Sequence, residues 1–328
     1  MDECNKKFIN LNHMKIPQWQ DVLEAHVRIK SWVHCTPVFT CSAINSITGC
    51  EIFFKCENFQ KVGAFKFRGA SNAVFSLDNT EAEKGVATHS SGNHAAALAL
   101  AALNRRVSAH IVMPETAPCI KKEAVASYGA DIIYCPPTLE ARESALEEVV
   151  RRTGAAFIHP YNNFDVICGQ ATAAKELFEE TKYLDLVMVP VGGGGLLSGT
   201  AITAKNMSPG TKVIAAEPKN ADDAYRSFKT GVLQPPLKPD TIADGLLTAL
   251  GPLTFRITME YVDDIFCAGE DSIINAMRFI WERMKIIIEP SSAVPLASIL
   301  ENREYFYGRR IGIILTGGNV DLGNLPFV

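Results

Sequence analysis

From Gly85 onward, short apolar runs alternate with longer stretches of helical period. Gly85 to Thr88 reads as a short strand, and Asn93 to Leu103 as a helix apolar on nearly every face. Val107 to Met113 is a second strand, closed by Pro114, and Pro118 to Tyr128 a helix stopped by Gly129. Asp131 to Cys135 is a strand. Thr138 can cap a helix running to Thr153, with Arg151 and Arg152 at its negative end and Gly154 beyond it. Ala155 to Ile158 supplies one more strand.

The alternation continues with a helix Phe164–Thr181, a strand Leu184–Val191 and a helix Leu196–Asn206. Strands follow at Lys212–Ala216 and Asp263–Ala268. Ser272 to Lys285 is an amphipathic helix with Ile273, Met277, Ile280 and Met284 on one stripe. A last strand, Arg310–Leu315, meets the turn Thr316-Gly317-Gly318-Asn319. Short apolar strands separated by helices predict an α/β fold of mainly parallel sheets flanked by helices. The stretch from Gln234 to Pro239 reads as a surface loop.

At about 150 residues per domain, 328 residues suggest two domains or one large one. Apolar residues at 47% and charged residues at 21% match a soluble globular chain. The net charge of −4 comes with no basic stripe, which argues against a nucleic-acid or membrane-surface binder. No run is long enough to span a bilayer, and Met1 to Lys7 leads into no signal-like segment. Nine scattered cysteines without a C-x-x-C pair fit reduced thiols in a cytoplasmic protein.

Three segments can carry chemistry. Gly192, Gly193, Gly194 and Gly195 lie between a buried strand and a helix start, where backbone N–H groups and the helix dipole favour a phosphate. A tight turn needing positive φ explains one or two of these glycines but poorly all four. Glu217 after the next strand keeps a nucleotide-dependent oxidoreductase as a rival, although the third glycine of G-x-G-x-x-G is missing. No Gly-Lys dipeptide, H-E-x-x-H or G-x-S-x-G occurs, which removes P-loop, zinc-protease and serine-hydrolase readings.

In the second segment, Lys66 lies between Phe65 and Phe67 and beside Arg68. Desolvation and a neighbouring cation both disfavour its charged form, and a neutral amine is what Schiff-base chemistry needs. A snorkelling surface lysine is the plain alternative. The third segment, Thr88 to His94, places Ser90, Ser91, Gly92 and Asn93 at a helix start. These residues can cap that helix or present donors to a substrate carboxylate. His94 reads as a structural histidine.

Together these segments resemble the fold-type II enzymes that use pyridoxal 5′-phosphate (PLP), and among them the serine racemases and serine/threonine dehydratases. The resemblance runs from Thr36-Pro37-Val38 to Thr316-Gly317-Gly318-Asn319-Val320-Asp321, through Lys55 to Gln60, Cys168-Gly169-Gln170, Ala215 to Pro218, Ile242 to Gly245 and Ile288-Glu289-Pro290. It displaces the oxidoreductase and implies a tryptophan-synthase-β-like pair of open twisted sheets. The larger, discontinuous domain would take residues 1–84 and 163–328, with a small mobile domain at 85–162. The chain length then leaves no room for the regulatory domain of biosynthetic threonine dehydratases.

The resemblance also implies roles for single residues. Lys66 would bind PLP and move protons at the substrate α-carbon, with Phe65 beside the ring and Asn93 at the ring 3′-oxygen. Gly192, Gly193, Gly194, Gly195 and Leu196 would hold the phosphate. Thr316 would face the pyridine nitrogen, and a neutral hydroxyl there suits elimination or racemisation more than transamination. Ser90, Ser91, Gly92, Asn93 and His94 would bind the substrate, a small hydroxyamino acid. Ser91 stands where typical threonine dehydratases have alanine, so a second proton-exchanging base would permit racemisation beside elimination to a 2-oxo acid and ammonia. Glu217, the Ala221 carbonyl and Asp223 would take Mg²⁺ or Ca²⁺. Arg142 falls near the substrate opening, and relatives are commonly homodimers. Ala64, Ala96 and Tyr161 depart from the family pattern and bear on substrate preference. A catalytically inert PLP-binding protein is the remaining alternative.

Overall fold

A computed structural model describes residues 15–327. Cys4 and the Met1–Lys7 stretch considered above lie outside the described residues. The strands are β1 (Val38–Phe39), β2 (Glu51–Cys56), β3 (Val86–His89), β4 (Ala109–Pro114), β5 (Asp131–Cys135), β6 (Ala156–Phe157), β7 (Leu186–Pro190), β8 (Lys212–Pro218), β9 (Asp264–Ala268) and β10 (Arg310–Leu315). They form a six-stranded sheet ordered β1-β2-β10-β7-β8-β9 and a four-stranded sheet ordered β5-β4-β3-β6. Every pairing is parallel except β1 with β2, so the α/β class predicted from the alternation holds.

Each sheet reverses its winding once. The larger runs β7, β8, β9 to one side and then sets β10 on the other side of β7. The smaller runs β3, β4, β5 and then sets β6 on the other side of β3. Ligands of open parallel sheets sit beyond the carboxyl ends of strands at such switch points. The loops that leave β3, β6, β7 and β10 are 90–92, 158–163, 191–194 and 316–319. Of the residues singled out in the sequence, they contain Ser90, Ser91, Gly92, Tyr161, Gly192, Gly193, Gly194 and Thr316.

Local signals explain many element ends. The Thr138 hydroxyl accepts from the Ala141 N–H, the helix runs Leu139–Thr153, and Gly154 ends it at φ 72°. Asn163 caps the helix Phe164–Thr181 through its side chain. The strand expected from Val107 starts at Ala109, because the helix from Asn93 extends to Arg105 and Arg106 then turns the chain at φ 62°. The helix Phe164–Thr181 is the packing axis between the helices Lys66–Ser76 and Gly195–Met207. A methyl group on Gly169 would lie 2.5 Å from the Arg68 carbonyl oxygen and 2.8 Å from the Gly69 Cα. Close backbone approach therefore requires glycine there, and it fixes the helix that carries Lys66 against the core.

The eight described cysteines are free thiols. Among the described residues, no helix is long and apolar enough to cross a membrane.

Candidate active site

Lys66 is the first residue of its helix. The segment before it is stapled to the loop after β10: Phe65 N–H donates to the Thr316 carbonyl at 2.9 Å, and Gly318 N–H to the Gly63 carbonyl at 2.9 Å. This staple sets Lys66 and Thr316 at one switch point. The Lys66 amine donates to the Pro160 carbonyl at 2.8 Å, in the loop after β6, and lies 5.3 Å from the Phe65 ring centroid. Loss of water pulls its pKa down to about 8, against the Glu289 carboxylate, which favours the charged form.

The expected role of Arg68 in that shift is not what the structure contains. Its guanidinium points into the core and pairs with Glu57 and Glu176 at 2.7 Å each, and Lys55 pairs with Glu176 at 2.6 Å. The Arg68 charge is thus spent in a buried cluster of two cations and two anions, and burial alone lowers Lys66.

The glycine loop is fully buried. Only Gly194 has positive φ, 84°. A methyl group on Gly193 would fall 2.3 Å from the Tyr161 ring, on Gly195 2.5 Å from Gln170 Oε1, and on Gly192 3.0 Å from Leu246 Cα. Crowding, more than turn geometry, requires the other three glycines. None of the backbone N–H groups from Gly192 to Leu197 has a hydrogen-bond acceptor among the described residues. A buried N–H without a partner is rare and costly. Six in succession at a helix start call for an anion.

The second loop behaves alike at smaller scale. Ser90 N–H donates to Val112 and Ala95 N–H to Gly92, while the N–H groups of Ser91, Asn93 and His94 have no acceptor among the described residues. The Ser91 hydroxyl makes no hydrogen bond there either, and Ser90 to Asn93 are half-buried. A methyl group on Gly92 would meet nothing within 4 Å. His94 is buried beneath, its Nε2 3.2 Å from the Ile158 carbonyl and its pKa pushed down to about 3 by burial.

Glu289 was quoted in the sequence only within a motif, and the structure brings it to the centre of this group. Asn93 Nδ2 donates to its two oxygens at 2.9 and 3.2 Å, and the Thr316 hydroxyl lies 3.5 Å from Oε1. Thr316 also pairs with the Ser292 hydroxyl at 3.0 Å. Burial lifts Glu289 to about 7. A lone acid that closes the apolar run Ile286-Ile287-Ile288 ahead of Pro290 is the sequence signal that could have found it. Tyr161, singled out only as a departure, covers Gly193 with its ring.

The residues read as cation ligands lie at the end of β8, where Glu217 stands, and in the residues that follow it. Glu217 accepts from the N–H groups of Ala224 and Tyr225 at 2.8 and 2.7 Å, and burial lifts it to about 9. Burial also lifts Asp223 to about 6, and its Oδ2 has no hydrogen-bond partner among the described residues. Among the described residues, no group of three or more His, Cys, Asp or Glu side chains could hold a metal ion. A site here would depend on the two carboxylates, the buried Ala221 and water.

Comparison with known proteins gives the family and the fold. Residues 29–317 match the family model described as pyridoxal-phosphate dependent enzyme. The chain is 52% identical over 314 residues to the β-hydroxyaspartate dehydratase of Paracoccus denitrificans, covering 96% of this chain and 100% of that protein. It superposes on the crystal structure of serine racemase from Dictyostelium discoideum with a TM-score of 0.90 at 52% identity, over 93% of this chain and 99% of that one. The structure of maize serine racemase gives a TM-score of 0.92 at 45% identity, over 94% and 95%. A threonine deaminase structure gives 0.89 at 39% identity, over 93% and 99%.

Proposed function

The chain belongs to the pyridoxal-phosphate-dependent enzyme family, and from that premise we propose that it converts L-serine, L-threonine or a 3-hydroxy analogue such as hydroxyaspartate to a 2-oxo acid and ammonia. One observation carries the reading: six buried N–H groups without acceptors among the described residues, Gly192 to Leu197, open on the switch point that also holds a lysine amine whose pKa burial brings down to about 8. That combination fits PLP. The N–H groups would hold its phosphate and Lys66 its aldehyde carbon, with Phe65 beside the ring, Asn93 at the ring 3′-oxygen and Thr316 at the ring nitrogen. When bound, the cofactor supplies an electron sink for charge developing at the substrate α-carbon.

The protein's own residues do the rest. The N–H groups at Ser91, Asn93 and His94, with the Ser90 hydroxyl, would bind and orient the substrate carboxylate. Lys66 would take the α-proton from one face as a free amine. The β-hydroxyl would leave with that proton as water, and one water would be consumed when the released enamine hydrolyses to the 2-oxo acid and ammonia. Ser91, whose hydroxyl has no hydrogen-bond partner among the described residues, would exchange a proton on the opposite face. Serine racemisation or hydroxyaspartate dehydration as the main activity is the second reading, favoured by that free hydroxyl and by the two relatives above 50% identity.

We assign the mobile small domain to residues 85–162 and the larger domain to 1–84 and 163–328. The Lys121–Asp244 ion pair at 2.7 Å would bridge them when the small domain closes and excludes water. Glu217, the Ala221 carbonyl and Asp223 would hold Mg²⁺ or Ca²⁺. Two buried carboxylates outside any ion pair among the described residues, one with a free oxygen, support that reading. A homodimer in the cytoplasm rests on the resemblance alone.

The test is a panel of L- and D-hydroxyamino acids given to the holoenzyme with and without EDTA, following 2-oxo acid and enantiomer ratio together. Ser91→Ala is expected to lose racemisation while retaining elimination from one enantiomer. Equal survival of both activities removes the second-base role.

A further inference from the structure

Glu289 stands at the N-cap of the helix Pro290–Glu301, yet its side chain makes no capping bond. An acid at that position ordinarily serves its own helix. Here the backbone N–H donates to the Gly317 carbonyl at 2.9 Å, and the carboxylate turns inward to Asn93 and Thr316. On the far side of Asn93, the Asn319 amide donates to Oδ1 at 2.9 Å and to the Val62 carbonyl at 2.7 Å.

This chain of contacts settles the Asn93 amide in one sense. Rotating it by half a turn would set its carbonyl against the Glu289 carboxylate and its NH₂ group against the Asn319 donor. One N–H shared between the two Glu289 oxygens accounts for both short distances and leaves the second N–H to donate elsewhere. We propose that Glu289 is a positioning residue for the cofactor ring, which fixes Asn93 as a hydrogen-bond donor and supplies the negative charge felt by Lys66 and the ring.

The inference rests on the cofactor site proposed above. The groups facing Glu289 come from every neighbouring element: Asn93 and Thr316 by hydrogen bond, Lys66 and Lys121 as cations, and Asp244 as a second acid. Burial outweighs the favourable contacts and sets its ionisation near pH 7. Above that pH the carboxylate favours protonated neighbours, and below it that influence disappears.

The test is a pH titration of the absorbance of the PLP-loaded holoenzyme. Wild-type protein is expected to show an inflection near neutrality that Glu289→Gln removes and Glu289→Asp, which keeps the charge, retains. At pH 8, Glu289→Gln should lower kcat on the order of tenfold and change KM much less, the scale of one charge-assisted contact. An inflection absent from wild type, unchanged in Glu289→Gln, or lost equally in Glu289→Asp overturns the proposal. If the inflection behaves as expected but no hydroxyamino acid is converted, the functional reading fails and the role of Glu289 stands. If the panel is converted and the inflection ignores Glu289, the reverse holds.

Discussion

The two loops that open helices at the two switch points are built on one plan and to different depths. The loop 191–194 of the larger sheet is wholly buried, and its Gly192 and Gly193, with Gly195 at the helix start, are hemmed in by Leu246, Tyr161 and Gln170. The loop 90–92 of the smaller sheet is half-buried, and Gly92 has free space on its Cβ side. Both offer N–H groups without acceptors among the described residues. The difference separates tasks: a closed cradle suits a resident phosphate, and an open one suits a carboxylate that arrives and leaves. The depth of the first also depends on the floor beneath it, where the Gly69–Gly169 contact and the Arg68 cluster hold the Lys66 helix in place.

That contrast can be broken from the floor upward. Arg68→Met leaves the buried Glu57 and Glu176 undercompensated and should cost about 3–5 kcal/mol, the usual result of removing one partner from a buried ion pair. Thermal or denaturant unfolding of the holoenzyme measures it, and a loss below about 1 kcal/mol would deny the cluster its part in fixing the floor. Next comes the cradle. Gly193→Ala drives a methyl group into the Tyr161 ring, 2.3 Å away, and should weaken PLP binding by about 10- to 100-fold, the scale of overpacking at about 1–3 kcal/mol. Fluorescence titration of apoenzyme with PLP reads that change. The smallest effect belongs to the open loop: Gly92→Ala should alter PLP affinity by less than about threefold, since nothing lies within 4 Å of the new methyl group. Equal losses in the two glycine variants would erase the distinction between cradle and opening.

Much of this architecture could be read from residue order, but unevenly. From Gly85 the apolar periodicity predicted the strands and helices of both switch points, the helix Phe164–Thr181 among them, and Thr138 and Gly154 fell where capping chemistry put them. Between residues 15 and 84 no such alternation was read, because the elements there bury charge. β2 carries the fully buried Lys55, and the Lys66 helix buries Arg68, Ser71 and Asn72. A polar residue reads as exposed until its distant partner is known, and Glu176 is more than 100 positions away from Arg68. The same blindness assigned Arg68 to the electrostatics of Lys66. The four glycines were recognised as an anion loop, but the crowding that demands three of them comes from Tyr161, Gln170 and Leu246, which periodicity cannot bring together. Glu289 was hidden for a related reason: an acid before a proline looks like an ordinary helix start, and only the fold turns it toward Asn93.

The central claim is that one amine, Lys66, at the meeting point of the two loops, carries the cofactor and the chemistry. Purified wild-type protein and Lys66→Ala, each loaded with PLP, should be compared by absorbance spectrum before and after addition of L-serine, L-threonine and 3-hydroxyaspartate. Wild type should show the yellow band of lysine-bound cofactor and release 2-oxo acid from at least one substrate, while Lys66→Ala shows neither. An identical band in both proteins, or undiminished release of 2-oxo acid by Lys66→Ala, would contradict the account.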